Sequence, residues 1–169
     1  MGFQVNNGIW NTDLYQNGLM ILIGYMFCLV FWLFKNRTVN SFFICFVVWV
    51  IASVIMDGIE PVLFKTTGNV PLDRFLWYFG FALIDFLAIY TIFRWHQVEG
   101  LNYNRDCIVM CLLLAVLMSL QMLRYIERQV FGSDLLKEIY RDGIPLLNSF
   151  ALVYLMFAST LQGRKLKNV

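Results

Sequence analysis

A long apolar segment with one acid near its middle constrains this chain most. Residues Phe75 to Phe93 read FLWYFGFALIDFLAIYTIF, and Asp85 is their single carboxyl group. An apolar segment of this length is typical of a transmembrane helix. Asp85 lies about 15 Å into such a helix, near the middle of a bilayer core about 30 Å thick. Because an ionisable group at that depth is costly against lipid, we expect Asp85 to face protein or water.

The composition extends this interpretation to the whole chain. Of its 169 residues 60% are hydrophobic and only 14% are charged, whereas a soluble domain carries about 25% charged residues. Lipid must therefore solvate part of the surface. The length suits one domain, residues 1–169. The net charge of +2 is small and the basic residues are scattered, so we expect no nucleic-acid partner.

The apolar segments predict an all-α integral membrane protein with about five transmembrane helices. The spans are expected at 15–34, 41–59, 75–93, 107–123 and 144–161. Residues Phe131 to Gly143 carry apolar side chains on one helical face and charged ones on the other, with Ser133 as an N-cap. This pattern predicts a short interfacial helix before the last span. A four-span alternative, with 144–161 re-entrant, stays open at this point.

The distribution of Lys and Arg predicts the orientation. With the N-terminus outside, the inner loops and the C-terminal tail hold seven basic residues and the outer loops hold six. The first span has no basic residue before it, and Lys35 and Arg37 directly follow it. We therefore expect an outside N-terminus and a cytoplasmic C-terminus, in a bacterial inner membrane.

Small residues flank Asp85 on its own helical face. Ala82 and Ala88 lie one turn before and after it, and small residues mark faces where transmembrane helices approach closely. The face could line a pore or join copies in a homo-oligomer, with Asp85 as a proton or cation site. It could equally hold a structural acid that bonds to a neighbouring helix.

Polar residues of the other spans cluster at one depth. Ser53, Gln121 and Asn148 all fall in the predicted outer half, near or above Asp85. The inner halves are almost purely apolar. The sequence therefore predicts a polar cavity in the outer half, with Asp85 at its floor.

Three charged residues near the predicted outer boundary form a further candidate site. Asp57 and Glu60 lie one helical turn apart, and paired carboxylates can bind a cation or share a proton. Arg124, at the end of the fourth span, could form an ion pair with them. Solvated charges at helix ends are the alternative interpretation.

Histidine and cysteine give no catalytic or metal-binding pattern in sequence. His96 is the single histidine and is expected to be an interfacial anchor. The cysteines at 28, 45, 107 and 111 all lie in or beside apolar segments, where thiols act as small hydrophobic groups. We expect no metal and no cofactor.

Three dipeptides, Gly68-Asn69, Asp73-Arg74 and Asp85-Phe86, resemble the acidic motifs of lipoprotein signal peptidases, which are small intramembrane aspartic proteases. The resemblance implies an aspartic-type enzyme. The spacing departs from the family's pattern, because three residues separate Asn69 from Asp73. On one helix, Asp73 and Asp85 would be about 18 Å apart, too far to share a water.

These observations predict a subunit of a homo-oligomeric channel, pore or signal-transmitting membrane assembly. One alternative is a membrane sensor or anchor of a multi-component system, such as a bacterial defence module. It would recruit a soluble partner through Arg94 to Asp106 and the basic tail. The other alternative is the intramembrane aspartic enzyme. Beyond the lipid bilayer, a homo-oligomer and this soluble partner are the expected interactions.

Overall fold

Five α-helices make up the part of the protein that the structure describes. The structure is a computed structural model that describes residues 10–35, 39–63 and 67–165, and the side chains of 18–34, 39–63 and 67–161. The helices are α1 (Trp10–Lys35), α2 (Ser41–Leu63), α3 (Val70–Glu99), α4 (Arg105–Ile126) and α5 (Lys137–Lys165), and a π-helical turn, Glu127–Phe131, follows α4. The described residues contain no strand, which confirms the all-α prediction.

Four of these helices are long and apolar enough to cross a membrane: α2, α3, α4 with its π-helical turn, and α5 up to Leu161. Helix α1 contributes the shorter apolar segment Gly18–Phe34. The prediction of a polytopic membrane protein is therefore confirmed.

Polar residues fix the ends of the central helices. The side chain of Asn69 accepts a hydrogen bond from the Leu72 N–H at the start of α3, and Asn104 does the same for Cys107 at the start of α4. Such caps satisfy backbone donors that have no partner inside the helix. Gly100 ends α3 with φ of 63°, a conformation that glycine adopts without strain.

The helices form a closed ring, in which each packs against its chain neighbours and α1 packs against α5. Helix α3 packs most extensively, against α2 and α4. Gly24 of α1 lies close to Leu152 of α5, since a Cβ atom at Gly24 would come within 2.8 Å of a Leu152 methyl carbon.

One end of this ring is filled with side chains. This packed end is formed by the C-terminal parts of α1 and α3 and the N-terminal parts of α2 and α4, and Trp32, Phe42, Phe46 and Ile92 are buried there. The ring of Trp32 stacks on that of Phe43 with centroids 4.9 Å apart. This tight contact leaves the packed end without a central opening.

The segment before the last span differs from the expectation. A separate interfacial helix is absent from the described residues, because 137–143 form the first turns of the continuous helix α5. Ser133 does not cap that helix; its hydroxyl donates to Glu127 Oε1 instead. At 29 residues α5 is about 43 Å long, enough to cross the bilayer rather than re-enter it.

Candidate functional site

A cavity of about 440 Å³ lies inside the ring, at the end opposite the packed end, and all five helices line it. We call this the cavity end. Its volume lies in the range of small-molecule binding sites. The cavity takes in seven of the nine residues that the sequence singled out: Ser53, Asp57, Glu60, Asp85, Gln121, Arg124 and Asn148.

Asp85 is the most unusual residue of the lining. Only 1% of its surface is exposed, and its Oδ1 atom is buried without a hydrogen-bond partner among the described residues. Buried polar atoms are almost always hydrogen-bonded. The Oδ1 atom of Asp85 is therefore open to a hydrogen bond from a water molecule or a ligand in the cavity.

The alanines beside Asp85 do not line the cavity. Ala82 and Ala88 are each 5% exposed, and Ala88 belongs to the hydrophobic core. This face of α3 packs inside a single chain. Packing between copies would have to use another face of the protein.

Polar side chains of the cavity wall are largely held by bonds within the chain. The Tyr140 hydroxyl donates to Gln121 Oε1 at 2.7 Å and accepts from the Trp77 indole N–H at 3.2 Å. The Tyr25 hydroxyl donates to the backbone carbonyl of Asn148 at 2.7 Å, and Ser53 donates to the Trp49 carbonyl. These bonds tie α1, α3 and α4 to α5 around the cavity.

Aromatic rings form much of the wall. Tyr25, Trp77, Tyr78, Phe81 and Tyr140 all line the cavity. Tyr78 and Tyr140 meet edge to face with centroids 5.4 Å apart, and Trp77 and Phe81 do so at 5.0 Å. Ring faces attract cations through their quadrupole, so the wall suits an ammonium group better than an anion.

The ion pairs of Arg124 differ from the expected ones. Its guanidinium donates to Glu127 on the same helical face and to Asp134 in the following loop, rather than to Asp57 or Glu60. Arg124 and Glu127 are 3% and 6% exposed. Glu127 also accepts from the Leu136 N–H, which pins the loop over the helix end. The prediction of a pair with Asp57 and Glu60 is corrected: nearer acids satisfy the arginine.

Asp134 is the outermost member of this network. It accepts from Arg124 at 2.7 Å and from Arg128 at 2.8 Å. The hydrogen bond from Arg124, with the positive charge of Arg128, lowers the pKa of the Asp134 carboxyl from its ordinary value. The carboxyl is therefore held in its charged form.

Among the remaining charged residues of the lining, more acids than bases lack a partner in the described part of the chain. Arg141 is paired with Asp142. Asp57 and Glu60, like Asp85, have no hydrogen-bond or ion-pair partner within the ranges that the structure describes. Lys137, which is exposed, is the one lining cation without such a pair there. Three carboxyl groups thus face one lysine.

The packed end contains the histidine. His96 is 1% exposed, so the expectation of an interfacial anchor is wrong. Its Nδ1 lies 2.8 Å from the Ile92 carbonyl and its Nε2 lies 2.8 Å from Ser41 Oγ. Because a carbonyl only accepts, Nδ1 carries the proton and Nε2 accepts from the Ser41 hydroxyl.

The four cysteines are of two kinds. Cys28 and Cys111 are free thiols, as expected. Cys45 of α2 and Cys107 of α4 form a disulfide, with their Cα atoms 5.6 Å apart, so the expectation of thiols is wrong for these two. Sequence spacing alone could not bring together two residues from different helices.

Asp73 takes no part in the cavity. It lies in the first turn of α3, where its carboxylate accepts from the backbone N–H and the hydroxyl of Thr67. The lining does not include it. The two acids implied by the resemblance to lipoprotein signal peptidases are therefore not brought together.

Several lining residues were missed in the sequence. Tyr140, Arg141 and Lys137 belong to the segment predicted to lie flat on the membrane. Their helical spacing was visible, since 137, 140, 141, 144 and 148 share one face of a continuous helix. If the last helix had been predicted to continue through Pro145, this spacing would have placed these residues in the cavity.

Comparisons with protein-family models, curated proteins and solved structures returned no match.

Proposed function

We propose that this protein is the ligand-binding subunit of a signal-transmitting membrane assembly, and that it takes up a small organic cation at Asp85. The observation that carries the proposal is the orphaned carboxylate oxygen of Asp85 on the cavity lining. A bound ammonium group supplies the counter-charge that no described side chain gives this carboxyl group, and an ammonium group that carries N–H bonds also supplies hydrogen bonds.

The shape and chemistry of the cavity support an organic cation over an inorganic one. A volume of about 440 Å³ is far larger than a single ion needs. Aromatic rings offer a quaternary or alkyl ammonium group cation–π contacts that a hydrated metal ion would not use. The unpaired acids Asp57 and Glu60 attract positive charge to the same cavity.

The packed end favours signal transmission over a continuous pore. The cavity is confined to one end of the ring, and Trp32, Phe42 and Phe46 fill the other. A ligand would be held rather than passed through. Its effect would reach a partner through movement of the helices, and α3 is best placed for this because it joins Asp85 to the loop after Glu99.

Two expected partners bear on this proposal. A homo-oligomer remains a prediction, and it requires a face other than that of Ala82 and Ala88. A soluble partner could dock on the α3–α4 loop, where Val98 is 76% exposed. The basic tail residues Arg164, Lys165 and Lys167 lie outside the described side chains.

Calorimetry on protein in lipid nanodiscs tests the binding step. Choline is the probe, and 3,3-dimethylbutan-1-ol is its neutral isostere. We expect choline to bind and the alcohol not to bind. Asp85→Asn should weaken choline binding by at least about tenfold, because it removes the counter-charge without changing the volume of the side chain.

Glu99→Gln is the matched control, since it also removes one acid from α3 but lies at the other end of that helix, exposed. It should leave choline binding unchanged. Equal binding of choline and the alcohol, or choline binding that survives Asp85→Asn, would contradict the proposal. So would the absence of binding by choline, tetramethylammonium and butylammonium alike.

A further inference from the structure

Three potential metal ligands meet at the packed end, far from the cavity. Cys45, His96 and Cys107 come from α2, α3 and α4, and one ligand atom of each lies within 4.8 Å of the others. All three side chains are buried, each at most 1% exposed. This is the one such group within the searched part of the chain.

The histidine is oriented as a metal ligand is. Its Nδ1–H donates to the Ile92 carbonyl at 2.8 Å, so Nε2 carries the lone pair. In the structure that lone pair accepts from the Ser41 hydroxyl, and a metal ion would take the place of this hydrogen bond. Histidines that bind metals commonly have this second bond to a backbone carbonyl, which fixes the tautomer and the ring plane. Tyr103 stacks on the imidazole with centroids 4.6 Å apart and holds the ring further.

Hydrogen bonds from a third element complete the surroundings. Ser41 Oγ lies 2.8 Å from Nε2 and accepts from the Asn104 N–H at 3.0 Å. The start of α2, the end of α3 and the loop before α4 are thus joined at one point. A polar oxygen beside the ligand group gives a metal ion a fourth donor.

The structure joins the two sulfur atoms as a disulfide. In a reducing compartment the same two residues are instead thiols, which can bind one metal ion as thiolates. The predicted orientation places the packed end at the cytoplasmic face, where thiols stay reduced. Two thiolates and a neutral imidazole are the ligand set that zinc prefers over harder cations. The compartment and the third ligand therefore favour the metal.

We propose that Cys45, His96 and Cys107 bind one zinc ion, with the Ser41 hydroxyl as the nearby oxygen donor. Each thiol gives up its proton on binding, and no electron is transferred. The ion ties together α2, α3 and α4, three of the four helices that form the packed end. This inference is independent of the function proposed for the cavity.

Zinc content measured by mass spectrometry tests the site. The full chain is purified in detergent with a phosphine reductant and dialysed against a zinc buffer of fixed free concentration. We expect about one zinc per chain in the wild type and loss of that zinc in Cys45→Ser, Cys107→Ser and His96→Ala. Cys28→Ser and Cys111→Ser are the matched controls and should keep it, because neither thiol belongs to the group.

A second measurement keeps the test decisive if the variants fail to fold. Replacement of zinc by cobalt in the wild type should give the absorption of thiolate-to-cobalt charge transfer. Membranes opened directly into an alkylating reagent should yield Cys45 and Cys107 as alkylated thiols. A wild-type chain without zinc, or one in which Cys45 and Cys107 are recovered as a disulfide, would overturn the proposal.

Discussion

The two ends of the bundle are built on opposite principles. At the packed end, aromatic side chains fill the space between the helices. The polar atoms of Ser41 and His96 form hydrogen bonds with each other and with the backbone. At the cavity end, the helices enclose about 440 Å³ that no described side chain fills, and the Oδ1 atom of Asp85 has no partner. The packed end holds the helices together, whereas the cavity end leaves a buried carboxyl oxygen without a partner among the described residues, which is the feature that the proposed ligand site uses.

The largest expected effect is a loss of packing. Phe42 is fully buried, so Phe42→Ala should lower the free energy of unfolding by about 3 kcal/mol, because the void left behind cannot collapse. Phe81→Ala should cost less, since Phe81 already borders the cavity. Unfolding in mixed detergent micelles measures both.

Phe157→Ala is the control for that comparison, because Phe157 is 62% exposed and is expected to face lipid. Its effect should be small. An equal loss for Phe42→Ala and Phe81→Ala would mean that the two ends are packed alike.

At the cavity end, we expect stability to depend on the ion-pair network around Arg124 more than on the packing of aromatic side chains. Arg124→Met should lower the free energy of unfolding by about 2 kcal/mol, because Glu127 and Asp134 lose their shared partner. The loss should be smaller than that for a deeply buried pair, since Asp134 is exposed and keeps Arg128 as a partner. Arg128→Met, which removes one pair with an exposed acid, should cost under about 1 kcal/mol.

Chemical unfolding of the two arginine variants, measured side by side, tests whether the two arginines differ in their contribution to stability. If Arg124→Met is as mild as Arg128→Met, the network does not hold the α4–α5 loop in place.

A smaller effect is expected at the packed end for Ser41→Ala. The Asn104 N–H loses its acceptor, which should cost about 1 kcal/mol in thermal or chemical unfolding. Ser119→Ala is the control, because the exposed Ser119 only bonds back to its own helix. Equal effects of the two changes would show that the Ser41 bonds contribute nothing.

The smallest expected effect is a pH dependence at the cavity end. The hydrogen bond from Arg124 lowers the pKa of Asp134, so its charged form stabilises the fold above the ordinary pKa of an aspartate. That stabilisation is lost as the pH falls through the lowered value. Unfolding followed from neutral to acidic pH should show a loss that Asp134→Asn reduces. An identical pH profile in the variant would contradict the assignment.

Part of the cavity lining could be predicted from the sequence, whereas its residues from the start of α5 and the contacts between helices could not, for physical reasons. A polar or charged side chain in an apolar helix is expected to avoid lipid and to face the inside of the bundle. Its position along the span gives its depth, so the depths of Asp85, Ser53 and Asn148 could be predicted. The partners of Arg124 and the meeting of Cys45 with Cys107 depend on how helices far apart in sequence pack. No periodicity within one helix contains that information.

On this interpretation, a cavity reaches Asp85 from one end of the bundle and stops there. Labelling by a membrane-impermeant thiol reagent on sealed, oriented vesicles tests it, with the wild type as the blank for native cysteines. Ser53→Cys and Asn148→Cys should react from the side of the cavity end only, and Ala52→Cys, one residue from Ser53 but buried outside the lining, should not react. Labelling of Ala52→Cys equal to that of Ser53→Cys, or no labelling of Ser53→Cys and Asn148→Cys, would contradict the claim.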